Sequence, residues 1–153
     1  MSMFLNVLFG FVLPWIIGGT YLLKKGRKIL ILIFPFSSML AFTINQFGFH
    51  FGLWSLMPRM NKSFSALPFD LGLYPIQACL MIIAITNFPR IRCNPYWFIV
   101  ANAFLVTFAE WVYLKFGMVV YGHGWNIIGT FVSYLVPLVL VYLYFNLIKQ
   151  YVN

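Results

Sequence analysis

The chain has 153 residues, 63% of them hydrophobic and only 8% charged, whereas an ordinary soluble domain carries about 25% charged residues. That inventory cannot clothe a surface in water, and five helices of about 20 residues, the length one bilayer crossing demands, use nearly all of it and leave no room for a separate soluble domain. The net charge of +8 does not point to nucleic acid, because the basic residues fall in short clusters between apolar runs rather than along one face.

The first predicted span covers residues 3–23 and stops at Lys24, Lys25, Arg27 and Lys28. It is not expected to be a cleavable signal peptide, since no basic region precedes it and no small-residue cleavage site follows. Asn6, Gly10, Pro14 and Gly18 recur along it at helical spacing. The second span, 29–51, repeats the pattern with Ser38, Ala41, Asn45, Gly48 and Gly52. The connection that follows, 52–66, contains Leu53, Trp54, Leu56 and Met57 and is expected to lie in the membrane interface.

The third span, 67–88, carries Asp70, Tyr74, Gln77 and Met81 on one face. Its Pro75 frees the carbonyl of Leu71 and should bend the helix one turn below Asp70. The fourth, 96–116, presents Asn102, Val106, Glu110 and Tyr113, and the fifth, 127–148, presents Thr130, Ser133 and Pro137 after Asn126. The predicted fold is therefore a single all-α domain, a polytopic bundle of five transmembrane helices. Cys79 and Cys93 are fourteen residues apart, beyond disulfide reach along a helix, and are read as reduced.

Short cytoplasmic loops collect Lys and Arg. One side holds Lys24, Lys25, Arg27, Lys28, Arg90, Arg92 and Lys149 and the other only Arg59, Lys62 and Lys115, which predicts the N-terminus outside and the C-terminus in the cytoplasm. Tyr21, Trp54, Tyr96, Trp97, Tyr121, Trp125 and Tyr151 lie near span ends, as interfacial aromatic residues do. Lipid cannot satisfy the polar groups of the stripes, so these faces should turn inward. Small residues there also serve ordinary helix packing. With the predicted orientation most of the polar members, including Asn45, Gln77, Tyr113 and Asn126, fall toward the outer half, which suggests a polar pocket opening outward.

Asp70 and Glu110 are the entire acidic inventory and are expected at similar depth on adjacent antiparallel helices. Asp70 could cap the third helix or pair with Arg59 or Lys62. Glu110 has no such escape, since Lys115 is five residues on, a poor helical pairing distance, and an unpaired acid inside a membrane reads as functional. His50 and His123 are expected near the same face, His123 accessible in the turn Tyr121-Gly122-His123-Gly124-Trp125. Two histidines and two acids could ligate zinc, but no metal-ligand spacing supports it, and neither a metal nor any other cofactor is expected. The chain has no phosphate-cradling loop, dinucleotide fingerprint, C-x-x-C, HExxH or G-x-S-x-G, and its single Asp excludes a two-aspartate protease.

Taken together, Leu67 to Pro75, Phe108-Ala109-Glu110-Trp111 and Tyr121 to Trp125 resemble a group of small uncharacterised multi-pass membrane proteins of spore-forming Bacillus- and Clostridium-type bacteria. The resemblance implies a bacterial plasma-membrane protein, marks Asp70, Pro75, Glu110 and Trp125 as residues of interest, and brings no activity. Three readings follow. The first is a non-enzymatic bundle with an outward pocket of Glu110, Asp70, Tyr74, Gln77, Asn45, Tyr113, His123 and Asn126 that binds a lipid, a small ligand or a partner helix. The second is a small cation- or proton-coupled transporter in which Glu110 works amid Trp111, Tyr113 and Tyr74. The third is an enzyme acting on a lipid or isoprenoid, with Asp70 and Glu110 as acid and base. The expected partners are the lipid bilayer and a second copy or another membrane protein.

Overall fold

A computed structural model of the chain describes residues 3–59, 62–87 and 94–151, Lys62 by its backbone alone. Arg90, Arg92, Cys93 and the predicted third-span end at Phe88 lie outside the described residues, as does the Lys62 side chain. Five helices are long and apolar enough to cross a membrane: α1 Met3–Lys25, α2 Arg27–His50, α3 Ser63–Asn87, α4 Pro95–Lys115 and α5 Ile127–Tyr151. Large apolar side chains such as Ile17, Phe47, Phe104, Phe108 and Leu147 stand on their outer surface, an exterior suited to hydrocarbon rather than water.

Two termini follow from capping. Asn94 accepts the Tyr96 N–H at 3.1 Å with Pro95 at the first helical position, and Asn126 accepts the N–H groups of Ile128 and Gly129 at 3.0 and 3.1 Å. The α3 boundary differs from the predicted Leu67. The helix reaches back to Ser63, burying Ser65 and Ala66, and Pro68 lies inside it.

The connection 52–66 closes one end of the bundle. Its residues Trp54–Leu56 form β1, which pairs antiparallel with β2, Val119–Tyr121, in the register Trp54↔Tyr121, Ser55↔Val120 and Leu56↔Val119. The ladder continues on both sides, with the Gly122 N–H donating to the Leu53 carbonyl and the Met57 N–H to that of Met118, each at 2.9 Å. This sheet joins the α2–α3 and α4–α5 connections across one end of the bundle, opposite the end where exposed Lys24, Lys25, Arg27 and Lys28 close α1 and open α2.

Helix α3 is the central element, 56% of its apolar window being buried against 17–33% in the other four. It meets α1 at a glycine pair: a Cβ on Gly72 would collide with the Gly10 carbonyl oxygen and lie 2.7 Å from the Phe11 Cα. Backbones can approach this closely only where neither carries a side chain. Both helices widen there into π turns, Leu8–Val12 in α1 and Phe69–Leu73 in α3, the latter closed by the Tyr74 N–H on the Phe69 carbonyl. Such turns rearrange backbone bonding beside proline, here Pro14, Pro68 and Pro75. The Leu71 carbonyl, which Pro75 deprives of its helical donor, accepts the Trp15 indole N–H at 3.0 Å. The stripe of α1 thus packs on α3, with Asn6 reaching the Met57 and Ser65 carbonyls at 2.8 and 3.1 Å.

Two buried clusters hold the bundle. One, at the basic end, centres on Leu22, Ile33, Ile76, Cys79, Ile82 and Val141; the other, beneath the sheet, on Phe49, Leu56, Ala66, Phe69 and Val119. Cys79 is a free, buried thiol.

Candidate functional site

Between these clusters lies a cavity of about 900 Å³, its open mouth included. Four helices contribute one face each, at the spacing of successive helical turns: Ser37, Ala41 and Asn45 from α2, Phe69, Leu73 and Gln77 from α3, Val106, Glu110 and Tyr113 from α4, and Thr130, Ser133 and Pro137 from α5. Helix α1 contributes nothing. The sheet forms the roof, because strand alternation turns Trp54, Leu56 and Val119 into the cavity and leaves Ser55 and Val120 on the other face.

Among the described residues Glu110 is the only charged one on this wall. Its Oε1 accepts the Tyr121 hydroxyl at 2.7 Å and that of Thr130 at 3.2 Å, and its Oε2 accepts the Tyr134 hydroxyl. The Trp125 indole N–H donates to the Thr130 Oγ1 at 2.9 Å. The Tyr74 and Tyr134 hydroxyls lie 3.1 Å apart; since Tyr134 gives its hydrogen to Glu110, Tyr74 donates to Tyr134. The arrangement suits an anion, because every hydroxyl in reach can donate to it. At the edge of this network, outside the helices, burial and then the neighbouring Glu110 charge push the Tyr121 phenol above its ordinary range, so it remains a donor.

Asp70 belongs to a second network. It is 1% exposed and does not line the cavity. Its Oδ1 accepts the Asn45 Nδ2 at 2.7 Å, and the Asn45 Oδ1 in turn accepts the Trp54 indole at 3.1 Å. The Asp70 Oδ2 has no partner among the described residues. Asp70 sits within the helix rather than at its cap, and no ion pair to it occurs among the described residues, the predicted partner Lys62 having its side chain outside them. The two networks meet at the roof, where the Trp54 and Trp125 rings lie 4.9 Å apart, each indole feeding the network of one acid.

Of the residues singled out in the sequence, Asn45, Tyr74, Gln77, Glu110 and Tyr113 line this one cavity and Asp70 stands behind Asn45. Gln77 is clamped to the Asn102 side chain across α3 and α4. His123 and Asn126 are not on the wall. His123 is exposed, with its Nδ1 3.0 Å from the Gly52 carbonyl, and Asn126 is consumed in capping α5. Trp111, expected beside a bound cation, is 43% exposed on the outer surface, stacked with Phe108 and lying 5.4 Å beneath the Lys115 Nζ. One helical step turns it away from Glu110.

Sequence reasoning missed the roles of Trp54, Trp125, Tyr121 and Tyr134, the first three being read as interfacial aromatics. Tyr134 was legible in principle, one turn beyond Thr130 on the same face. Among the described residues no three of His, Cys, Asp and Glu gather as metal ligands would. No protein-family model matches the chain, and no curated protein and no solved structure matches it.

Proposed function

We propose that this chain is a non-enzymatic integral membrane protein whose cavity around Glu110 binds a small, largely apolar molecule. The observation that carries the reading is the cavity itself, whose mostly apolar walls carry a few convergent polar groups, as small-molecule sites do. The resemblance of Leu67 to Pro75, Phe108 to Trp111 and Tyr121 to Trp125 to small membrane proteins of spore formers supports a bacterial plasma membrane as its place. Seven basic residues against three support an orientation with the sheet end outside.

Catalysis on a lipid is less favoured. It called for Asp70 and Glu110 as acid and base on one substrate, and only Glu110 lines the cavity. A proton- or cation-coupled transporter draws support from the hydroxyl relay Tyr74–Tyr134–Glu110, which offers a route for protons to the carboxylate. Ala109, a small wall residue, gives the test. Compounds that raise the melting temperature of purified protein should lose that effect in Ala109→Phe, which fills the cavity. Retained stabilisation in a folded Ala109→Phe variant, or conversion of a candidate lipid to product by wild type, would contradict the reading.

A further inference from the structure

We infer that the molecule this cavity takes is a monocation, an amine or ammonium head on an apolar or aromatic body. The inference rests on the binding reading above and names the class of ligand. Among the described residues the wall has one carboxylate and no Lys, Arg or His, so the local charge balance is unfilled on one side only. Tyr121 and Tyr134 donate to Glu110, and the one hydrogen of Thr130 is shared between the Tyr121 oxygen at 2.7 Å and Oε1 at 3.2 Å, so of the about four acceptor positions a carboxylate offers at least one, on Oε2, stays open for an N–H of the ligand.

The surroundings repeat the preference. Trp54 and Trp125 in contact overhead, Tyr74 against Tyr134 at 5.6 Å between ring centres, and Phe69 against Tyr113 at 5.7 Å line the same space. Aromatic faces carry negative quadrupole charge and attract cations, more strongly away from water. An anionic ligand would meet the Glu110 charge with no basic residue among the described wall residues to offset it. A neutral ligand would fill the volume but leave the carboxylate without a counter-charge, a costly state in a buried site.

An ammonium group can come from a free amine or from a lipid headgroup, and the test separates these. The probes are 2-phenylethylammonium, its neutral isostere propylbenzene and the anion 3-phenylpropanoate, titrated calorimetrically into full-length protein in phosphatidylglycerol nanodiscs. The cation should bind at least about tenfold more tightly than either other probe, as removal of one partner of a buried charge pair implies. Glu110→Gln should remove that margin and leave propylbenzene binding within about threefold of wild type. Repeating the titration with phosphatidylethanolamine present assigns the source: loss of probe affinity identifies a lipid headgroup, and unchanged affinity a free amine.

Propylbenzene or the anion binding as tightly as the cation, or a folded Glu110→Gln variant keeping the cation margin, overturns the inference while leaving the cavity reading intact. Failure of all three probes to bind overturns both. Should Glu110→Gln not yield monodisperse protein, the ranking of probes on wild type decides alone.

Discussion

Glu110 and Asp70 show how far environment separates two chemically similar side chains. Glu110 meets three hydroxyls on a cavity wall, whereas Asp70 is sealed behind Asn45 with one oxygen unpartnered among the described residues. Their likeness as the only acids of the chain was legible in the sequence; the difference was not, because it depends on which neighbouring helix supplies the donors. The same limit applies to His123 and Asn126, where residue type suggested chemistry and local backbone claimed the side chains first. Gly72 makes a sharper residue-scale prediction. Its missing Cβ would strike the Gly10 carbonyl, and backbone cannot rotate away as a side chain can. Gly72→Ala should cost about 1–3 kcal/mol, the usual penalty of overpacking, seen as a lower melting temperature of purified protein. An unchanged melting temperature would mean that α1 and α3 do not cross there.

At the scale of elements, hydrophobic runs and breakers located all five helices, because a bilayer demands long apolar stretches whatever their partners. The stripes on α2 to α5 also identified their inward faces. What local pattern could not reveal was the pairing of two three-residue strands separated by more than sixty positions, since neither Trp54–Leu56 nor Val119–Tyr121 has a strand signal of useful length. The π turns of α1 and α3 were partly announced by their prolines, and the freed Leu71 carbonyl was anticipated, but its partner Trp15 lies on another helix. That bond yields a double-mutant prediction. Trp15→Phe should destabilise the wild-type background by roughly 0.5–1.5 kcal/mol. In a Pro75→Ala background the restored Ala N–H can serve Leu71 itself, and the same change should cost markedly less. Equal costs in the two backgrounds, measured by thermal or denaturant unfolding, would show that the indole bond does not compensate for the proline.

For the molecule as a whole, the architecture is a four-helix cup closed by a small sheet, with α1 buttressing α3 from outside the cavity. The proposed orientation places that sheet at the outer surface. Ser55, on the strand face turned away from the cavity, reports on it: a membrane-impermeant maleimide should label Ser55→Cys on intact cells, and labelling only after permeabilisation would reverse the orientation. The space beneath the sheet, on the proposal above, is a binding site governed by Glu110. An experimental structure of the full chain soaked with 2-phenylethylammonium tests this most directly. We predict density for the amine against the Glu110 carboxylate with its ring among Trp54, Trp125 and Tyr134; a cavity filled by the protein's own side chains, or the amine bound elsewhere with Glu110 untouched, would rule out a Glu110-governed site.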